Sequence, residues 1–218
     1  MYSMWEEDQT CLHWLDEQPP RCVLYVSFGS IAVKSQQQMH ELALGLEACG
    51  YPFLWVLRSD IAQGRSMDLP EGFMERTKGR ALIVSWTPQL KVLSHHSVGG
   101  FLTHSGWNST LEAICTGVPI IGWPCFFDQF INCRFARDVW KIGLDFDGVD
   151  ADESKLVTKE EVENTVRNLM DGSLGKELRQ NVLKLKEAAA VAVKPGGSSY
   201  VNLDTFVEGM QKIVNSKT

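Results

Sequence analysis

Residues 86–129 read WTPQLKVLSHHSVGGFLTHSGWNSTLEAICTGVPIIGWPCFFDQ. Two runs in this stretch, VGGFLTH (98–104) and VPIIGW (118–123), are continuously apolar. That pattern suits strands buried on both faces of a parallel sheet, where neither side of the strand meets water. Between them Asn108 to Cys115 has helical spacing, and Gly117 stops the helix. Strand, helix, strand at this spacing is a βαβ unit.

The alternation extends in both directions. VLYVSFGS (23–30), FLWVLR (53–58) and ALIVSW (81–86) read as three earlier strands, and IGLDF (142–146) as a sixth. Ser35 and Gln38 form a capping box for a helix that carries Met39, Leu42, Ala43 and Leu46 and ends near Gly50. A polar loop with Gly64 leads to the third strand. Pro88 suits the first turn of a short helix capped by Thr87. Asp128 to Val139 is helical, with Asp128 a good N-cap. In residues 1–20, Cys11, Leu12 and Leu15 line one helical face before Pro19 and Pro20 end it. Thr158 and Glu161 open further helix, which fills most of 158–214; Pro195-Gly196-Gly197 breaks it, and Ser198 caps the last piece. The expected fold is α/β, a parallel sheet with helices on both faces.

Composition narrows the function classes. The 218 residues are 44% hydrophobic, enough for one large domain or two small ones. The net charge of −6 offers no basic footprint for nucleic acid. No apolar run approaches the ~18 residues of a membrane span, and MYSMWEEDQT lacks the apolar centre of a signal peptide. Six cysteines are scattered without a C-x-x-C pair, which suits free thiols in the cytoplasm and argues against a zinc site.

In open parallel sheets, ligands bind beyond the carboxyl ends of the strands. Ser30, Trp86, His104 and Asp128 each follow a strand end. Trp86 offers a flat face on which a base can stack, worth ~1–3 kcal/mol; a core indole is the alternative. His104 to Ser109 is a strand-to-helix turn, where free N–H groups and the helix dipole favour phosphate. Gly106 allows close backbone approach, and His104 can donate to a phosphate oxygen. Glu112 has two readings: a capping-box partner of Ser109, or a carboxylate accepting from a diol. Asp145-Phe-Asp147 and Asp150-Ala-Asp152 read as solvated acidic loops, and His95-His96 as an exposed linker.

The opening Trp-x-Pro-Gln, the central His-Ser-Gly-Trp-Asn-Ser-x-x-Glu and the closing Asp-Gln together resemble the donor-binding box of plant family-1 glycosyltransferases, which use UDP-sugars. The resemblance implies one Rossmann-like half of a two-domain GT-B enzyme, the C-terminal, donor-binding half. Residues 1–20 would then be linker and lead-in helix, 21–195 the donor domain, and 196–218 a helix packing back toward an N-terminal domain. It implies that Trp86 stacks on uracil and that Thr87 and Gln89 contact uracil and ribose. His104, Trp107, Asn108 and Ser109 would cradle the phosphates with Ser30, and Glu112 would take the ribose hydroxyls. Asp128 and Gln129 would read the hexose, with glucose the favoured sugar. Two positions depart from the pattern: Ser105 stands where the family usually has Cys, and Thr87 where it commonly has Ala.

The implied reaction is inverting transfer of a hexose from UDP-glucose to a small plant metabolite such as a phenolic. UDP-sugar is a co-substrate, and no metal or other cofactor is implied. The base, a His oriented by an Asp, belongs to the N-terminal domain, so no catalytic residue is expected in this chain. The implied partners are UDP or UDP-glucose and an acceptor held by the other domain, on a monomer. Two alternatives remain: a UDP-sugar binding module without turnover, and a dinucleotide oxidoreductase. The second lacks its G-x-G-x-x-G turn, since the first strand runs into FGSIAV.

Overall fold

Strands β1 (Val23–Ser27), β2 (Phe53–Val56), β3 (Ala81–Val84), β4 (Val98–Thr103), β5 (Ile120–Gly122) and β6 (Gly143–Asp145) form one sheet in the order β3-β2-β1-β4-β5-β6. Every neighbouring pair is parallel. This is a computed structural model, and it describes residues 7–29, 35–57, 69–149 and 155–215. Ser30, the Gly64 loop, Asp150 and Asp152 lie outside the described residues.

The continuous apolar runs are strands with both faces covered. All of β1 and all of β4 are buried. Alternate residues feed two cores. Leu24, Val26, Phe53, Trp55, Leu102 and Ile121 face one, while Val23, Tyr25, Leu54, Val56, Phe101 and Ile120 face the other. The first core is closed by α2 (Gln36–Cys49) and α7 (Lys159–Met170), through Met39, Leu42, Leu46, Val162 and Val166. The second is closed by α1 (Thr10–Asp16), α4 (Gln89–Leu93), α5 (Trp107–Thr116) and α8 (Ser173–Ala192). The remaining helices are α3 (Phe73–Arg76), α6 (Gln129–Arg134), which runs into a π-helical turn at Phe135–Val139, and α9 (Ser198–Asn215). No residue of α9 is buried; it displays Leu203, Phe206, Met210 and Ile213.

The chain leaves β1 toward β2 and β3, but leaves β4 toward β5 and β6. The crossovers diverge between β1 and β4 and open a crevice at their carboxyl ends, the switch point where α/β sheets hold ligands. The opposite edge gathers Arg21, His96, Arg179 and Lys186 around a cleft. Helices of a parallel sheet end there with carbonyls exposed, and cations satisfy them. Lys186 Nζ donates to Thr116 O at the end of α5 at 3.1 Å, while an Arg179 guanidinium nitrogen donates to Gly99 O of β4 at 2.8 Å.

Several local expectations change. Thr87 does not cap α4; it is buried, and Pro88 takes the position before the helix. Asp145 ends β6 and pairs with Arg137, so it lies in the sheet and not in a solvated loop. His95 is half-buried, its Nε2 3.0 Å from Asp16 Oδ1 and its Nδ1 2.8 Å from Ser97 Oγ, which ties α1 to the turn before β4. Ser35 Oγ does accept from Gln38 N at 3.2 Å. The Gln38 side chain, however, turns away to Val157, taking Val157 N on Oε1 at 2.9 Å and giving Nε2 to Val157 O at 2.8 Å.

That amide stands in for a strand partner and attaches the segment before α7 to the core. Gln38→Leu leaves a buried N–H and C=O unpaired and should cost ~2–6 kcal/mol, at ~1–3 per orphaned group. Ser35→Ala, which removes one cap bond, should cost only ~1 kcal/mol. Denaturant unfolding of the two variants measures the gap.

Candidate functional site at the switch point

Ser27 pairs with Thr103 in the β1–β4 ladder, so the residues that follow the two strands emerge side by side. Gly29 has φ +72° and faces the His104 imidazole; a Cβ there would come within 2.6 Å of Cε1. A Cβ on Gly106 would collide with Nε2 of the same ring. The imidazole is therefore held between two glycines, neither of which can carry a side chain without displacing it. Burial pushes the His104 pKa down, against an opposing hydrogen bond to the Ser27 backbone and the charge of Asp128. The ring is thus neutral at pH 7 and carries a single N–H.

Gly106 is the N-cap of α5, and no side chain caps that end. Trp107 and Asn108 open the helix and are exposed. Free N–H groups and the positive end of the dipole lie beside His104, which is the environment an anion needs. Trp107 leans against Trp140, with ring centroids 6.3 Å apart and planes tilted by 36°.

Ser109 is buried as the third residue of α5, so it cannot act as a cap, and the Ser109–Glu112 capping box does not form. Instead Gln89 Nε2 donates to Ser109 Oγ at 2.9 Å and to Glu112 Oε2 at 2.7 Å. Gln89 Oε1 lies 3.2 Å from Tyr25 Oη, which lies 2.8 Å from Thr87 Oγ1. Thr87, Gln89, Ser109 and Glu112 thus share one polar network. Trp86 is half-buried beside it, packed against the core on the α1 side, with its carbonyl accepting from Asp8 N at 3.0 Å.

Asp128 occupies the N-cap of α6 without a side-chain capping bond; its Oδ2 accepts from Asn132 Nδ2 at 2.8 Å. Asn132 Nδ2 also reaches Ser105 O at 3.1 Å, bracing the turn after β4 against α6. Gln129 is 5% exposed, and its Oε1 takes Cys125 N at 2.9 Å and Phe126 N at 3.2 Å. It shapes the loop between β5 and α6. Tyr25, Gly29 and Asn132 were missed from sequence. Only Tyr25 left a signal, a hydroxyl within an apolar strand that must find a partner. Among the described residues, no group of three or more His, Cys, Asp or Glu side chains could hold a metal ion. No described helix is long and apolar enough to cross a membrane.

The family model for UDP-glucoronosyl and UDP-glucosyl transferases matches residues 6–212. The chain belongs to this family. UDP-glycosyltransferase 85A8 of Stevia rebaudiana is 46% identical over 205 residues, 94% of this chain and 41% of that protein. A 7-deoxyloganetic acid glucosyltransferase of Catharanthus roseus is 47% identical over 214 residues, 97% of this chain and 43% of that protein. Among solved structures, Phytolacca americana UGT2 complexed with UDP-2fluoro-glucose and pterostilbene superposes with TM-score 0.84 at 43% identity, over 93% of this chain and 44% of that one. Os79 of O. sativa in complex with UDP gives TM-score 0.85 at 37% identity, over 95% and 44%. The chain therefore spans less than half the length of these relatives, and its fold is the Rossmann-like domain of a GT-B glycosyltransferase from the plant family-1 branch.

Two outcomes follow from the turn after β4. His104 has a folded pKa below its ordinary 6.5. The unfolded chain takes up this proton first, so stability is full above that value and is lost as pH falls through the window beneath it. Between pH 7.5 and 5.5 the wild type should lose more melting temperature than His104→Gln. Ser105 is fully buried at φ +61°, with its Oγ lacking a hydrogen-bond partner among the described residues. Ser105→Ala removes that orphan hydroxyl, and should leave chemical stability unchanged or raise it by ~1 kcal/mol. A loss would mean that the hydroxyl is bonded.

Proposed function

We propose that this chain is the donor-binding half of an inverting glycosyltransferase that takes UDP-glucose and transfers the hexose to a small plant metabolite such as a phenolic. The observation that carries the reading is the switch-point crevice, with a neutral imidazole fixed between two glycines beside the uncapped N-terminus of α5. Fixed donors aimed at one place stabilise the charge that develops on a departing diphosphate. Trp86 supplies a face for uracil, and Glu112 a carboxylate for the ribose. Asp128 and Gln129 would read the sugar, and Ser30, outside the described residues, would contact the phosphates.

In this reading, an acceptor hydroxyl is deprotonated by a base on a further domain and attacks the anomeric carbon. The carbon–oxygen bond to the diphosphate breaks as the new glycosidic bond forms, through an oxocarbenium-like transition state, and UDP leaves with the bonding pair. His104 and the α5 N–H groups meet that charge, so the reading routes no step through a metal or other cofactor. The relatives' greater length supports a second domain that holds the acceptor, and the apolar face of α9 offers it a docking strip. Cysteines outside disulfides fit work in the cytoplasm, and a monomer is the state proposed.

Two measurements test this. The chain alone should bind UDP and UDP-glucose yet release no UDP in response to a phenolic acceptor; acceptor-dependent release at ordinary enzymatic rates would refute the division of labour. Trp86→Ala should weaken UDP by ~1–3 kcal/mol, the stacking contribution, with a small change in melting temperature. A large loss of stability with unchanged affinity would return Trp86 to the core.

A further inference from the structure

Tyr25 lies in the middle of β1, 1% exposed, its ring stacked on Phe101 with centroids 4.9 Å apart and planes 20° from parallel. Its hydroxyl begins a chain of polar contacts that ends at the crevice: Thr87 Oγ1 at 2.8 Å, Gln89 Oε1 at 3.2 Å, then Gln89 Nε2 to Ser109 Oγ and Glu112 Oε2.

The bonding capacities of these groups fix the donor and the acceptor at each contact from Glu112 to Thr87. The Glu112 carboxylate only accepts, so Gln89 must turn its NH2 toward it. The Gln89 carbonyl then faces Tyr25 and also only accepts, so the phenol must donate. The phenol oxygen is left to accept, and Thr87 must donate to it. With the Gln89 amide reversed, a carbonyl would meet a carboxylate and an NH2 would meet the phenol. Burial pushes the Tyr25 pKa further above its ordinary value, so the phenol keeps the proton this arrangement requires.

We infer that Tyr25 is a positioning residue for the nucleotide site. Its hydroxyl donates to the Gln89 carbonyl and holds in place the amide that Glu112 orients, and Gln89 in turn ties down one oxygen of Glu112 and leaves the other to accept from a vicinal diol. The inference rests on the donor-site reading and extends it inward: the specificity of a half-buried carboxylate for a ribose is set from within the sheet. Tyr25→Phe keeps the ring, its stacking and its place in the core, and deletes only the donor that anchors the carbonyl end of the Gln89 amide.

The experiment measures the affinity of the chain for UDP and for 2′,3′-dideoxy-UDP, with thermal melting in parallel. The wild type should prefer UDP. Tyr25→Phe should lower UDP affinity about three- to tenfold, the size of one hydrogen bond, and leave dideoxy-UDP affinity unchanged. In a Gln89→Ala background, where the amide is gone, Tyr25→Phe should not alter the ratio further. A lower melting temperature with the wild-type ratio intact would make Tyr25 a packing residue only; that outcome overturns the inference while UDP binding, and with it the donor-site reading, survives. A wild type that binds neither nucleotide would refute both.

Discussion

The parallel ladder between β1 and β4 is the constraint on which the rest of the molecule depends. Its register sets Ser27 opposite Thr103. Everything at the site follows from where the chain goes next: Gly29 turns at positive φ, His104 fills the space that Gly29 leaves open, and Gly106 starts α5 without a capping side chain. A shift of one residue would turn Tyr25 and Phe101 to the wrong core and take the imidazole out of the crevice. Both strands are buried along their whole length, so the hydrophobic pattern enforces the register and the site inherits it.

Rigidity beneath the crevice comes from polar side chains that bridge distant segments. Gln38 attaches the approach to α7, Asn132 braces the turn after β4 against α6, and Gln89 joins β1, α4 and α5. Each is an amide, able to donate and accept at once, and each is buried or half-buried. Such groups are stabilising only when fully satisfied, and a half-satisfied network would be costly. Ser105 is the local exception. Its hydroxyl lies beside Cys133 and Gly122 without a hydrogen-bond partner among the described residues, and a thiol would be far less costly to leave unpaired in such a pocket.

The strands were legible in sequence because short apolar runs bounded by glycine, proline and polar turns mark strands of a covered parallel sheet. All six are present, each shorter by one to several residues than its apolar run. The capping boxes show where such reading stops. In Ser35/Gln38 and Thr158/Glu161 the hydroxyl caps as expected. In both, the fourth residue is taken by a distant partner: Gln38 by Val157, Glu161 by the Asp147 N–H. In Ser109/Glu112 even the hydroxyl is taken, by Gln89. A local motif specifies the backbone of a helix start, but a long polar side chain goes wherever tertiary structure offers a stronger bond. Tyr25 was hidden for the same reason: its partners are 62 and 64 residues away in sequence.

The central claim is that the crevice between β1 and β4 is built for a uridine diphosphate sugar, although its strand order is shared with dinucleotide-binding sheets. Calorimetric titration of the chain with UDP-glucose, and separately with NAD, tests it most directly. The account predicts saturable binding of UDP-glucose at one site, displaced by UDP, and no heat of binding from NAD. Saturable binding of NAD with none of UDP-glucose would contradict it.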